Sequence, residues 1–226
     1  SRLKPHKVKQ AAPITPHILY SIFRFLDFSS TLHVACWACF LIAFFTMTRK
    51  SNLVPNSLKK FDVQKHLCRK DIVIGSFGLL VFLKWSKTNQ FGKRNVFIPV
   101  PSFENSVLCP VLAYSKLLDS VSVRDSDPAF SFEERPKLKC VTAFRFTKVL
   151  RDVSSRAGFR AQSFTGHSFR RGGATLAFKA QVPSELIKLQ GDWASDAYLR
   201  YLDFSLANKL QVGVAMQKYI KDMTFQ

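Results

Sequence analysis

Acidic residues are scarce in this sequence. The 226 residues include 15 Asp and Glu against 34 Lys and Arg, which gives a formal net charge of +19. An excess of this size favours anionic partners, with nucleic acid ahead of an anionic membrane surface. The basic residues are spread along the chain and are not confined to a tail, which fits a folded domain with a basic face. On charge alone, a basic protein without such a partner remains the alternative.

Several catalytic signatures are also missing. The sequence has no GxxxxGK[ST] phosphate loop, no GxSxG nucleophile motif and no carboxylate cluster that would hold two metal ions. These absences argue against a P-loop NTPase, a serine hydrolase of the GxSxG type and a two-metal enzyme. The first ten residues, SRLKPHKVKQ, are basic with no apolar segment behind them, so we expect no signal peptide.

Cysteine is limited to five residues, an odd number in a chain long enough to fold without disulfides. This predicts a reducing compartment. Cys36 and Cys39 form a CxxC inside an apolar run, but no second CxxC and no HxxxH accompanies them. We therefore expect buried helix cysteines and not zinc ligands.

One long segment has no charged side chain. Residues 31–48, TLHVACWACFLIAFFTMT, contain no Asp, Glu, Lys or Arg. The run only just reaches the length that a membrane helix needs, and it lacks an aromatic belt. It predicts a helix buried in the middle of a helical domain, with a membrane span as the alternative.

The periodicity of the sequence predicts a fold of the α+β class that is mainly α. Short segments rich in β-branched and aromatic residues at 71–77, 79–86 and 95–100 predict a small three-stranded antiparallel sheet. A helix opens at Thr15-Pro16. The further predicted helices cover about 31–48, 108–121, 141–157, 167–180, 184–190, 195–203 and 204–222.

The stretch from 165 to 205 concentrates polar and amphipathic side chains among apolar helix formers. His167 and Arg170 are three positions apart and share one face of the predicted helix. Together with the free backbone N–H groups of the first turn, they would form a phosphate-binding site. Trp193 and Tyr201 follow at an interval that a turn and a helix can span. Taken singly, these residues have plainer readings, namely a surface His–Arg pair and aromatic packing residues.

Two more basic residues stand in unusual places. Arg49 ends the apolar run, where a guanidinium must be used or satisfied. Lys87 lies in WSKTNQFGKR, on a predicted hairpin loop that is able to reach over a ligand. Neither residue identifies a function alone.

The ordered set Arg49, Lys87, His167-x-x-Arg170, Trp193 and Tyr201 resembles the tyrosine recombinase/integrase family, whose catalytic fold is shared with type IB topoisomerases. The resemblance covers nearly all of residues 12–222. The sequence HSFRRGGAT, followed by LIKLQGDWASDAYLRYL, is most similar to the recombinases of eukaryotic Crypton and DIRS-like mobile elements.

The resemblance implies a mechanism for cutting and rejoining DNA. Arg49 and Arg170 would neutralise the phosphate as charge develops, and His167 and Trp193 would add hydrogen bonds. Tyr201 would attack phosphorus to form a 3′-phosphotyrosyl link, and Lys87 would protonate the leaving 5′ oxygen. No metal and no nucleotide cofactor is implied.

Two features depart from the family pattern. Trp193 and Tyr201 are eight positions apart, about one fewer than is usual in the family, so Tyr198 stays a rival nucleophile. The family also carries an N-terminal core-binding domain. We therefore expect residues 1–14 to be a linker from such a domain, residues 15–203 to be the catalytic domain, and residues 204–226 to be a helix and tail that dock in cis or in trans.

The resemblance also implies partners and location. Double-stranded DNA and self-association on DNA, as a dimer or tetramer, are expected, with no membrane partner. A nuclear location is expected if the source is eukaryotic. A domesticated DNA-binding protein that no longer cleaves is the alternative. The candidate contacts to the DNA backbone are Lys50, Lys84, Lys93, Arg94, Arg160 and Arg171.

Overall fold

The computed structural model describes residues 11–85, 96–103, 105–134, 136–193 and 195–201, with Arg200 and Tyr201 described by their backbone alone. Its α-helices are α1 Pro16–Phe23, α2 Thr31–Thr46, α3 Lys50–Leu53, α4 Pro110–Ser120, α5 Ala143–Arg156, α6 Gly166–Lys179 and α7 Ser184–Gln190. Its strands are β1 Ile72–Gly75, β2 Gly78–Leu83, β3 Val96–Pro101, β4 Ser131–Glu134 and β5 Lys137–Cys140. Short 3₁₀ helices cover Leu58–Lys60, Arg69–Asp71, Ala161–Ser163 and Asp196–Tyr201.

Helix α2 runs through the centre of the domain. Nearly every side chain from Val34 to Thr46 is buried, and the helix packs against α4, α6 and β4. Its Phe40 ring lies 4.8 Å from that of Phe146 and 5.1 Å from that of Phe169. The apolar character of residues 31–48 therefore serves the core of the domain, as the sequence predicts. Within the described ranges, no helix combines the length and the apolar character needed to cross a membrane.

The ends of the first two helices are set by local chemistry. The Thr15 hydroxyl accepts a hydrogen bond from the Ile18 amide at 3.2 Å, and Pro16 occupies the first turn, so α1 begins where the sequence predicts. Helix α2 ends at Thr46, and the next residue, Met47, adopts a left-handed conformation with φ of 51°. This turn redirects the chain, so that Arg49 stands at the start of α3.

Strands β1, β2 and β3 form one antiparallel sheet in that order, which confirms the three-stranded sheet predicted from the sequence. Val81 in the central strand pairs with Ile72 on one side and with Ile98 on the other. A second hairpin, β4–β5, was not predicted. Its sequence, SFEERPKLKC, has none of the β-branched residues that mark the first three strands, so the strand signal is missing there.

Two adjacent glycines bring α6 close to its neighbours. A Cβ at Gly172 would overlap the carbonyl oxygen of Ile14, and one at Gly173 would overlap that of Phe44. The Ile14 amide also donates to the Ser168 carbonyl at 3.0 Å. Because no other residue type permits this approach, Gly172 sets how near α6 lies to the segment before α1, and Gly173 sets how near it lies to the end of α2.

Candidate active site

The first turn of α6 is closed by a reciprocal cap. The Thr165 hydroxyl accepts from the His167 amide at 3.2 Å, and the Ser168 hydroxyl accepts from the Thr165 amide at 3.0 Å. This pairing fixes the chain direction where the helix begins. It places His167 on the first turn, exposed at the surface.

Arg170 joins three segments of the chain. Its side chain is 2% exposed, and Nη1 donates to the carbonyl of Met47 and, at 2.7 Å, to that of Gly191. Its guanidinium carbon lies 3.7 Å from the centre of the Trp193 ring. A buried guanidinium is tolerated only when its donors are used. The end of α2, helix α6 and the turn after α7 are therefore held around one positive charge.

Three cationic side chains influence the charge of His167. Although the residue is exposed at the surface, partial loss of water around the ring lowers the pKa of His167, and the charges of Arg170, Arg49 and Lys50 lower it further. Arg49 is half-buried at the start of α3. Arg170 also donates to the carbonyl of Met47, two residues before Arg49, so the structure brings the start of α3 close to the helix that carries His167 and Arg170. A cluster of this kind attracts an anion. While no anion is bound, the same cluster favours the neutral form of the imidazole.

Trp193 and Tyr198 belong to a small apolar cluster beside α6. Trp193 is 7% exposed and Tyr198 is 4% exposed, their rings are 5.6 Å apart, and they pack with Met47, Ala174 and Ile187. Tyr198 therefore fills a packing position, one of the two readings that the sequence allowed. Tyr201 is the last residue of the 3₁₀ helix Asp196–Tyr201, which packs against α6.

The turn after α7 has further side-chain supports. Gln190 donates through Nε2 to the Phe45 carbonyl at 3.1 Å and approaches the Pro99 carbonyl of β3 at 3.5 Å. Lys188 pairs with Asp196 across the turn, with 2.7 Å between Nζ and Oδ1. Sequence reasoning did not single out these residues, because polar side chains beside a tryptophan give no motif of their own.

The candidate DNA contacts occupy different environments. Arg160 is exposed. Lys50 donates to the Thr147 hydroxyl at 3.2 Å and to the Ala143 carbonyl at 3.4 Å, and the Arg171 guanidinium donates to the Ala11 carbonyl. These intramolecular contacts leave the predicted DNA roles of Lys50 and Arg171 as predictions.

Lys84 has an internal set of partners. Its ammonium group lies 2.6 Å from the Asp71 carboxylate, 2.6 Å from the Val63 carbonyl and 3.2 Å from the Cys68 sulfur. Asp71, at 4% exposure, also accepts from the Cys68 amide at 2.6 Å. This ion pair links the end of β2 to the segment before β1. Asp71 was not among the functional residues predicted from the sequence.

Some predicted residues lie outside the described part of the chain. These are Lys87, Lys93, Arg94 and the segment 202–226. Among the described residues, no group of three or more His, Cys, Asp or Glu is arranged to hold a metal ion. The five cysteines are free and buried, and burial raises the pKa of Cys36 and Cys39.

Comparison with known proteins gives a consistent result. No family model matches the chain. An integrase/recombinase XerD homolog of Selenomonas ruminantium is 25% identical over 201 residues, covering 85% of this chain and 54% of that protein. The chain therefore spans about half the length of this curated relative.

Solved structures share the fold at low sequence identity. The XerH site-specific recombinase, bound to its difH substrate before cleavage, matches 91% of this chain and 54% of its own with a TM-score of 0.60 and 15% identity. The Tn1549 transposon integrase, in complex with circular intermediate DNA, matches 93% of this chain and 67% of its own with a TM-score of 0.56 and 14% identity. The sequence is thus similar to that of an integrase/recombinase homolog, and the chain has the fold of the tyrosine recombinase catalytic domain.

Proposed function

We propose that this chain is the catalytic part of a DNA recombinase that cuts and rejoins strands through a 3′-phosphotyrosyl intermediate on Tyr201. The observation that carries the proposal is that His167 and Arg170 share the first turns of α6, and that Arg170 donates to the carbonyl of Met47, two residues before Arg49. Three basic groups at a helix N-terminus suit the binding of a phosphodiester, which is a poor electrophile until its negative charge is offset.

The proposed role of each residue follows from its position in the structure. Arg170 is fixed by the carbonyls of Met47 and Gly191, so its charge needs no rearrangement when a phosphate arrives. Arg49 lies at the start of α3 and is half-exposed, so we expect its guanidinium to reach a non-bridging oxygen. Trp193 holds the guanidinium plane and adds a donor through its indole N–H.

The proposed covalent step uses only groups of the protein and the DNA. The Tyr201 oxygen forms a bond to phosphorus, and the bond from phosphorus to the 5′ oxygen of the next nucleotide breaks. His167, neutral because its pKa is lowered, accepts the phenolic proton. Lys87 donates a proton to the leaving 5′ oxygen. The reverse reaction, with a second 5′-hydroxyl as nucleophile, reseals the strand.

The biological setting is part of the same proposal. The likeness of HSFRRGGAT to Crypton and DIRS-like recombinases, together with the fold shared with a transposon integrase, supports a role in integration or excision of a mobile element. Double-stranded DNA is the substrate, contacted by exposed basic residues such as Arg160, and copies of the chain associate on it. A nuclear location follows if the source is eukaryotic.

A covalent-capture experiment tests this function. The chain is incubated, in the presence of a metal chelator, with a library of nicked duplexes whose central sequence is randomised. DNA that stays attached to protein in denaturant is then recovered and sequenced. We expect a captured sequence family with the wild-type chain and with Tyr198→Phe, and none with Tyr201→Phe.

The control separates cleavage from binding. Retention of the library by the native protein, measured on filters over a range of salt concentrations, reports binding alone. Binding without covalent capture would overturn the cleavage proposal and favour the domesticated, non-cleaving protein.

A further inference from the structure

We propose that Lys50 is a positioning residue of the proposed active site, whose aliphatic stem supports the first turn of α6 and, with it, His167. The inference rests on the proposed function and deepens it, because the sequence predicts Lys50 only as a contact to the DNA backbone. The contacts that Lys50 makes with α6 and α5 point to this second role.

The stem of Lys50 lies against the first residue of α6. A Cβ built on Gly166 would lie 2.7 Å from the Lys50 Cβ, 3.1 Å from its Cδ and 3.4 Å from its Cγ. The shortest of these distances is well below an ordinary contact between carbon atoms, which is about 3.5–4.0 Å. Because the Lys50 Cβ is joined directly to the backbone, it has little freedom to move aside. Gly166 therefore allows α6 to begin against this stem, and His167 is the next residue.

The other end of the same side chain is attached to α5. The Lys50 ammonium donates to the Thr147 hydroxyl at 3.2 Å and to the Ala143 carbonyl at 3.4 Å. The Ala143 amide in turn donates to the Pro55 carbonyl at 2.8 Å, which links the start of α5 to the chain that follows α3. Lys50 therefore contacts two helices, α5 through its ammonium group and α6 through its stem.

The charge of Lys50 has no acidic partner among the described residues. Its ammonium contacts two neutral oxygens, and partial burial and the charge of Arg151 lower the pKa of Lys50. A carboxylate beside the ammonium would explain the position of the side chain by charge alone. In its place, the packing of the stem and two neutral hydrogen bonds set the position of Lys50.

The stem and the charge of Lys50 have separable functions. A phosphate competes well with neutral acceptors for an ammonium group, because hydrogen bonds between two charged groups are the stronger ones. The end of the side chain is therefore able to turn towards DNA. The Cβ and Cγ atoms stay against Gly166 whichever partner the ammonium takes, so the support of α6 does not depend on the charge.

Loss of the stem should affect His167 more than Arg170. Arg170 is held by the carbonyls of Met47 and Gly191, whereas His167 is exposed on the first turn of α6, directly after Gly166. In the proposed reaction His167 accepts the phenolic proton. A misplacement of about 1 Å in a reacting group lowers a rate by up to about 100-fold. The reaction rate should therefore depend on the stem of Lys50.

Substitutions at position 50 test the inference by single-turnover adduct formation on a captured nicked duplex. Lys50→Met keeps an unbranched stem without the charge, whereas Lys50→Ala removes both. At saturating DNA, we expect Lys50→Met to react within about threefold of the wild-type rate and Lys50→Ala to react about tenfold or more slowly. The two variants should bind DNA with the same affinity, because both lack the charge.

A second variant disturbs the same contact from the other side. Gly166→Ala introduces a Cβ that overlaps the Lys50 Cβ, and it should also slow adduct formation at saturating DNA without weakening DNA binding. Circular dichroism and denaturant titration check that each variant is folded under the assay conditions. Lys50 is half-exposed, so its replacement spares the core.

The possible outcomes separate the positioning role from a DNA contact and from loss of the function. Equal rates for Lys50→Met and Lys50→Ala at saturating DNA would overturn the positioning role and leave Lys50 as a DNA contact alone. Wild-type rates for Lys50→Ala and Gly166→Ala would overturn it as well. Failure of the wild-type chain to form any adduct would instead overturn the proposed function, and this inference with it.

Discussion

The guanidinium carbon of Arg170 lies 3.7 Å from the centre of the Trp193 ring, and this contact joins the proposed phosphate site to the segment that ends at Tyr201. The ring covers one face of a charge that is 2% exposed. The cation and the aromatic face attract each other more strongly when both are out of water. Substitution of either Arg170 or Trp193 should therefore disturb both the proposed site and the segment that ends at Tyr201.

Replacing Trp193 with Ala should lower the free energy of unfolding by about 3–5 kcal/mol, because a large buried ring is removed. It should also slow adduct formation, because Arg170 loses its support. Trp193→Phe keeps an aromatic face and should be milder in both respects. Denaturant titration and single-turnover adduct formation measure the two effects. Equal rates for Trp193→Ala and the wild type would contradict the role of the stack.

Gly173→Ala should destabilise the fold by about 1–3 kcal/mol or more, because the new Cβ overlaps the Phe44 carbonyl and forces α6 away from α2. The shift also moves Arg170 relative to Met47. Gly75→Ala is the matched control, since its Cβ would meet only Phe77 side-chain atoms at 3.7 Å or more, an ordinary contact. Thermal unfolding of the two variants measures the difference. A Gly173→Ala protein as stable as Gly75→Ala would show that the close approach is not needed.

Lys84 and Asp71 form a pair whose loss distinguishes an internal role from a DNA contact. Lys84→Met should cost about 3–5 kcal/mol of stability, since it leaves the Asp71 carboxylate buried without its partner. The salt dependence of DNA binding should hardly change. Arg160→Ala, at an exposed position, should do the reverse and reduce the slope of affinity against salt. A reduced slope for Lys84→Met with unchanged stability would favour the DNA contact predicted from sequence.

His167 should titrate below its ordinary pKa of 6.5 in the free protein, because loss of water and the charges of Arg170, Arg49 and Lys50 all disfavour its protonated form. The unfolded chain then binds more protons in the interval between the folded pKa and 6.5, so stability falls as pH drops through that interval. Binding of DNA should raise the pKa. NMR titration, with the His167→Gln variant to assign the signal, measures both shifts. A midpoint above 6.5 in the free protein would contradict the cationic neighbourhood.

Most of the fold could be predicted from patterns that are local in the sequence. The apolar run at 31–48 identifies α2, and β-branched segments identify the three-stranded sheet, because both signals depend on neighbouring residues. The hairpin β4–β5 was missed because Glu and Lys occupy positions where a strand signal needs Val, Ile or Thr. The predicted helix at 195–203 is a 3₁₀ helix over Asp196–Tyr201, and the predicted helix at 204–222 lies outside the described residues.

The sequence supplied the candidate site residues, whose roles stay predictions, but it did not indicate the contacts that support them. The candidates that the family resemblance supplied are Arg49, Lys87, His167, Arg170, Trp193 and Tyr201. The resemblance gave no sign that Asp71 binds Lys84 or that Gln190 reaches the Phe45 carbonyl, because these contacts join residues distant in sequence. The glycines of RRGGAT were visible, but the carbonyls that exclude a Cβ there belong to segments far away in the chain.

The most direct test of the proposed chemistry is tandem mass spectrometry of the covalent adduct after digestion with nuclease and trypsin. Cleavage after Lys188 and Arg200 separates the two candidate nucleophiles, since Tyr198 falls in LQGDWASDAYLR and Tyr201 begins YLDFSLANK. We predict a nucleotide joined through its 3′-phosphate to Tyr201. A nucleotide on Tyr198, or an adduct on any other residue, would contradict the assignment of the nucleophile and the site built around it.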